Sequence, residues 1–296
     1  GYPSQLVRIV VPFSAGSATD LLARALAEKL GEKWKQQVIV ENRPGVAGTA
    51  SVAKAAADGY TLMLTSNGHT VAGVLNKALP FDPMKDFAGI TPVASVPLVL
   101  IAYPELPARS VKELIDLART KPGQMNFASP GLASTTFIAG ALFKDAAKID
   151  IVHVAYKGAP EANMSVVRGD THFYFTPANT AVELVRSGKV RALAVATDKR
   201  LDDMPDVPTL REAGLPDFSY ESWFGLLAPA GTPAPVIDKI NKDVVAILQD
   251  KAVQERMAKQ GGVTVVTSTP KQFDETIKSD TARYTKIFQD AGLAAK

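Results

Sequence analysis

Two rhythms alternate along this chain. Short unbroken apolar runs read as buried strands, and between them come stretches whose apolar residues recur three and four apart, the spacing of a helix face. Residues 6–11 (Leu-Val-Arg-Ile-Val-Val) form the first such run; Leu21, Leu22, Ala25, Leu26 and Leu30 then mark a helix face that Gly31 closes. Residues 38–40 predict a second strand, residues 48–57 a helix and residues 60–65 a third strand. Later come a helix over 110–120, a strand at 125–127, and a helix whose apolar face is Phe137, Ile138, Ala141 and Leu142. Further strands are expected at 153–155, 172–175 and 192–196, and two amphipathic helices after residue 233. Strands alternating with helices predict an α/β class with largely parallel sheets.

Two longer apolar stretches, residues 96–103 and 220–227, read as passages between domains. The expected organisation is a discontinuous first α/β lobe from residues 1–101 and 225–296, with a second α/β lobe, residues 102–224, inserted into it. No internal repeat or low-complexity segment interrupts this plan.

The loops after the strands carry the candidate chemistry. Pro12-Phe13-Ser14-Ala15-Gly16-Ser17-Ala18-Thr19-Asp20 follows the first strand, and Ala128-Ser129-Pro130-Gly131-Leu132-Ala133-Ser134-Thr135 follows the strand at 125–127. Each leads into a helix, whose N-terminus presents unpaired N–H groups and the positive end of a dipole. Neither loop holds a Lys, Arg, His or Cys, so the pattern points to anion capture by backbone and hydroxyl groups. Ser17 and Asp20 have capping-box spacing, and so do Thr180 and Glu183. Ser66-Asn67-Gly68-His69-Thr70 and Thr176-Pro177-Ala178-Asn179 are two more small polar loops at strand ends. Such residues are also what any helix N-terminus prefers. Their recurrence at strand ends, where open α/β sheets bind ligands, favours a cleft lined from both lobes.

Composition narrows the classes. With 296 residues, 46% of them hydrophobic, the chain can bury a sizeable core, and a formal net charge of +3 without a basic stripe argues against nucleic acid. There is no cysteine, which excludes disulfides, thiolate metal sites and a cysteine nucleophile. The longest apolar stretch, 93–103, is broken by Pro97 and falls short of the ~20 residues of a membrane span. No nucleophile elbow, phosphate loop or dinucleotide fingerprint occurs. His69, His153 and His172 are too far apart in sequence for the common local metal motifs, and His69 stands out only because it follows a strand end. Trp223 and Phe224 read as core, and Lys157 as a solvated cation.

Val10-Val11-Pro12-Phe13 with Gly16 and Ala18-Thr19-Asp20, Val40-Glu41-Asn42-Arg43-Pro44-Gly45, and Asp58-Gly59-Tyr60-Thr61-Leu62 resemble motifs of a known family. So do Val154-Ala155-Tyr156-Lys157-Gly158, Pro205-Asp206-Val207-Pro208-Thr209 and the run from Trp223 to Pro233. The resemblance, over essentially the whole chain, is to the Bug family of periplasmic solute-binding proteins of tripartite tricarboxylate transporters. It implies a type II periplasmic-binding-protein fold, two lobes joined by two crossing strands, closing like a flytrap on a carboxylate. It further implies a periplasmic monomer, neither membrane-embedded nor an enzyme, with no cofactor or metal, that delivers a small carboxylate to membrane transporter subunits. An enzyme on the same scaffold and a ligand-sensing module are the alternative readings.

Carried over by motif, the ligand contacts would be Phe13, Ser14, Gly16, Ser17, Ala18 and Thr19 from the first loop. Ser129, Gly131, Ala133, Ser134 and Thr135 would come from the second. Asn67, His69, Ala178 and Asn179 would approach the distal part of the ligand. The chain departs from the family pattern where Gly16-Ser17 replaces Gly-Gly, where Ala133 replaces glycine, and where Ala178-Asn179 replaces Asp-Asn. Losing that acid removes a partner for an ammonium group, so a plain dicarboxylate, aliphatic or aromatic, is expected over an amino acid.

Overall fold

The computed structural model describes residues 1–260 and 262–296 and separates into two compact units, Gly1–Ser95 with Trp223–Lys296, and Val96–Ser222. In chain order, the first unit begins with β1 (Val7–Val11), α1 (Ala18–Trp34), β2 (Val38–Asn42), α2 (Val46–Ala53), β3 (Thr61–Ser66), α3 (Ala72–Leu75) and β4 (Phe87–Ser95). The second holds β5 (Leu98–Ala102), α4 (Val111–Thr120), β6 (Asn126–Ser129), α5 (Thr135–Ala147), β7 (Val152–Ala155), α6 (Ala159–Arg168), β8 (Phe173–Pro177), α7 (Ala178–Arg186) and β9 (Arg191–Val195). The chain then completes the first unit with β10 (Phe224–Pro229), α8 (Ala234–Leu248), α9 (Lys251–Gly261), β11 (Thr264–Val265) and α10 (Pro270–Asp290).

The two sheets repeat one plan. The first runs β11-β4-β10-β3-β1-β2, with β1 parallel to both β2 and β3. The second runs β7-β6-β8-β5-β9, with β6 parallel to both β7 and β8. In each, a central strand is followed by a helix leading to the neighbour on one side, after which the chain crosses to the neighbour on the other. β1 and β6 therefore stand at the point where strand order reverses, and the carboxyl end of such a strand is where open α/β sheets place ligands.

Each unit has its own core. In the first, Val10, Val52, Met63, Phe87, Trp223, Leu227, Phe273 and Ile277 pack together; in the second, Val99, Ile101, Ala128, Ala162, Val166 and Tyr174 do so. Trp223 is core as its sequence suggests, edge-on to Phe273 with Nε1 donating to Asp280 at 3.1 Å. Leu26 and Leu30 on the buried face of α1 are fully enclosed, and truncating either to alanine would cost about 2–5 kcal/mol.

Several local expectations are corrected. Helix α1 does not stop at Gly31 but runs to Trp34, because the Trp34 indole donates to Asp243 Oδ2 at 2.7 Å and the helix ends on Lys35 in the left-handed region. Within the apolar stretch 96–103 only Leu98–Ala102 forms a strand, β5, because Pro97 separates it from the end of β4 at Ser95. Thr180 caps nothing, since α7 starts at Ala178 directly after Pro177. Three helices rather than two fill the chain after residue 233.

Candidate functional site

The first loop leaves β1 at Pro12 and enters α1 through Ser17. Ser17 adopts extended φ/ψ and its hydroxyl accepts from the Asp20 amide at 3.2 Å, which makes it the N-cap. The reciprocal half of a capping box is absent. Asp20 turns its carboxylate instead to the Gly16 amide, 2.8 Å from Oδ2. Gly16 sits at φ +87°, a conformation open to glycine and strained for other residues.

Asp20 is buried, and three partners hold it. Besides Gly16, Arg24 Nε donates to both carboxylate oxygens at 3.1 Å and Asn42 Nδ2 donates to Oδ1 at 2.9 Å. Asn42 also donates to the Phe13 carbonyl at 3.2 Å and accepts from Arg24 at 2.9 Å, so the carboxyl end of β2 is tied to the loop after β1. Burial raises the Asp20 pKa, but the hydrogen bonds from Gly16, Asn42 and Arg24 outweigh it and the net shift is downward. The positive charge beside this loop is thus already paired. In α1 the first intrahelical bond is Leu21 N–H to the Ser17 carbonyl. Helix geometry therefore leaves the Ala18 and Thr19 amides without an intrahelical acceptor.

The second loop is built alike from different residues. Ser134 is the N-cap of α5, accepting from the Phe137 amide at 3.0 Å, while its own hydroxyl donates to the Gly131 carbonyl at 2.6 Å. Gly131, at φ +141°, donates its amide to Ser129 Oγ at 3.0 Å. Ser129 Oγ lies 2.5 Å from His153 Nε2, and the His153 ring packs on Phe127 and Phe137. Burial pushes the His153 pKa down to about 4, so the ring is neutral near pH 7. The Tyr220 hydroxyl fixes the start of α5 from the other side, donating to the Thr135 carbonyl at 2.7 Å.

Placement of the sequence-derived residues follows from these frames. Ser14, Gly16, Ala18 and Ala133 are exposed; Phe13, Ser17, Gly131, Ser134 and Thr135 are half-buried; Thr19 and Ser129 are buried. Asn67 and His69 lie in a buried turn after β3, where the Asn67 amide donates to the Trp223 carbonyl at 2.9 Å. His69 Nε2 meets the Pro83 carbonyl at 2.8 Å, which fixes Nε2 as the protonated nitrogen, and the ring sits edge-on to Phe87. Burial lowers the His69 pKa. Ala178 and the exposed Asn179 open α7, where the Ala178 amide donates to the Pro97 carbonyl at 2.9 Å. Asp20, Arg24 and Asn42 around the first loop, and His153 under the second, were not among the sequence-derived contacts. Among the described residues, no group of three His, Asp or Glu side chains is placed to hold a metal ion. No helix among them is long and apolar enough to cross a membrane.

Comparison with known proteins agrees with this fold. Residues 22–293 match the model of the tripartite tricarboxylate transporter family receptor. BugT of Bordetella pertussis is 35% identical over 300 residues, spanning 100% of this chain and 92% of BugT. A structure of Rpa4515 from R. palustris with adipate superposes with a TM-score of 0.83 at 32% identity, covering 99% of both chains. The periplasmic binding protein BugD superposes with a TM-score of 0.80 at 32% identity over 100% of both chains. MatC from Rhodopseudomonas palustris with bound malate gives 0.79 at 31% identity, over 97% of this chain and 99% of that one. The chain belongs to the tripartite tricarboxylate transporter receptor family, among the Bug proteins.

Proposed function

We propose that this protein is a periplasmic solute-binding protein that captures a small dicarboxylate and hands it to the membrane subunits of a tripartite transporter. One observation carries the reading furthest. Each unit puts a positive-φ glycine and a serine-capped helix N-terminus at the carboxyl end of its switch-point strand. Such a terminus binds an anion through its amides and dipole. Relatives solved with adipate and with malate support an aliphatic dicarboxylate.

In this reading both loops engage one carboxylate. Phe13, Ser14, Gly16, Ser17, Ala18 and Thr19 act from the first unit, and Gly131, Ala133, Ser134 and Thr135 from the second, with Ser129 holding its loop from below. Asn67, Ala178 and Asn179 serve the other end of the ligand. His69 helps shape that end, because its one N–H is committed to Pro83. In this reading the protein binds and releases its ligand unchanged, and Ser129, buried against His153, serves the loop rather than a reaction.

A thermal-shift screen against mono-, di- and tricarboxylates tests the proposal. A ligand at a hundredfold excess over its Kd stabilises by about 2.7 kcal/mol, so a cognate dicarboxylate should raise the melting temperature clearly. If no carboxylate does so while amino acids or neutral solutes do, the reading fails.

A further inference from the structure

His153 lies 24 residues beyond Ser129 in sequence, on the edge strand β7, yet its Nε2 is 2.5 Å from Ser129 Oγ. The direction of that bond follows from the other partners. Ser129 Oγ accepts from the Gly131 amide at 3.0 Å, so its own proton needs an acceptor. The Gly131 carbonyl is a poor one, 3.5 Å away and already taking the Ser134 hydroxyl at 2.6 Å and the Ser134 amide at 3.1 Å. His153 Nε2 is therefore the acceptor, and the imidazole proton sits on Nδ1. A neutral ring suits that role, and burial against Phe127 and Phe137 keeps it neutral.

The bonds then form one relay in series. The Gly131 amide donates to Ser129, Ser129 donates to His153, Ser134 donates to the Gly131 carbonyl, and Ser134 caps α5 by accepting from Phe137. Removing the last acceptor leaves the Ser129 proton without a good partner in a buried site, and the loop loses the group that fixes its glycine. Asp20 does the corresponding work for Gly16 in the first unit, with a carboxylate in place of a serine and a histidine.

We propose that His153 is a positioning residue for the anion-binding loop of the second unit: it holds the Ser129 hydroxyl as a donor, and through it the Gly131 turn, before any ligand arrives. The proposal rests on the carboxylate-binding reading for its consequence but not for its geometry, so its test has arms that need no ligand. In ligand-free protein labelled with nitrogen-15 histidine, the His153 Nε2 should resonate as the unprotonated acceptor and Nδ1 as the protonated nitrogen near pH 7. Hydrogen exchange at the Gly131 amide should quicken about tenfold or more in His153→Phe, which keeps an apolar ring against Phe127 and Phe137 but has no acceptor. In His153→Gln, whose Oε1 can reach the place of Nε2, exchange should stay within about threefold of the parent. Thermal melts of both variants establish that they fold; if His153→Phe does not, Ser129→Ala supplies the same loss at Gly131. Adipate and malate titrations complete the set: affinity should fall about tenfold in His153→Phe and recover in His153→Gln. Should wild-type protein bind neither ligand, the carboxylate reading is at fault, and spectra and exchange still decide the role of His153. A protonated Nε2, or unchanged Gly131 exchange in both folded variants, would overturn the proposal.

Discussion

The Gly16 amide donates to Asp20 Oδ2 at 2.8 Å, four residues further along the chain. A carboxylate whose spacing suggests an ordinary cap is thereby the anchor of the loop before the helix. Asn42 and Arg24 complete the clamp, so the loop's shape is set by a buried charge whose partners all come from its own unit. An anion approaching α1 would meet amides and hydroxyls, with the Arg24 guanidinium already occupied by Asp20.

Stability should depend on that clamp in a definite direction with pH. The folded pKa of Asp20 lies below its unfolded value. Its contribution is therefore fully present above the ordinary aspartate pKa of about 3.9 and is lost as pH falls through the folded value. Asp20→Ala should cost about 1.5–3 kcal/mol at pH 7, the range for hydrogen bonds to a charged group. Asp20→Asn should cost less, because an amide oxygen still accepts from Gly16. Urea denaturation at pH 7 and pH 3.5 checks this, and the difference between parent and Asp20→Ala should shrink at the lower pH.

The histidines predict a separate, higher window. His69, His153 and His172 all have pKa values lowered chiefly by burial, His153 to about 4. Between the unfolded value near 6.5 and the folded values, the unfolded chain binds more protons, so stability rises with pH there and is lost as pH falls from 6.5 towards 4. Each pKa unit of difference is worth about 1.4 kcal/mol as an upper figure for a half-buried ring. Melting His153→Gln across this range should give a shallower decline than the parent. An unchanged slope would place the loss elsewhere.

On the proposed site, discrimination between ligands should come from the end assigned to Asn67, Ala178 and Asn179. Neutral amides suit a second carboxyl group, and a buried polar group left unpaired costs about 1–3 kcal/mol. Adipate should therefore bind about tenfold or more tightly than hexanoate, the same six-carbon skeleton with a methyl group in place of one carboxylate. Equal affinities in a calorimetric comparison would mean that the second carboxylate is not read.

What the sequence disclosed was mostly local. The run before Pro12 makes β1, and Ser17 caps α1, because strand burial and capping are decided within a few residues. Strand β4 carries a weak sequence signal: its Pro92 interrupts the apolar pattern, and the strand persists because β10 pairs with it across register shifts at Phe224/Gly225 and Leu226/Leu227. The Asn42 and His153 anchors carry no local signal at all. Asn42 reaches a loop 29 residues away at Phe13, and His153 a serine 24 residues away, so only the folded sheets bring them into reach. Asp20 was visible as a helix-start residue, but its partner Gly16 was not, since the choice between capping and loop anchoring depends on the turn at Gly16.

Titration of adipate into the wild type and into Thr19→Val, Thr135→Val and Lys157→Met would decide whether neutral donors of both loops hold one carboxylate. One ligand should bind per chain. Each threonine variant should weaken it by about 1.5–3 kcal/mol, the range for a hydrogen bond to a charged group, and Lys157→Met should change it little. Threonine variants that bind like the parent, beside a Lys157→Met that loses the ligand, would show the carboxylate held by a salt bridge and contradict the proposed site.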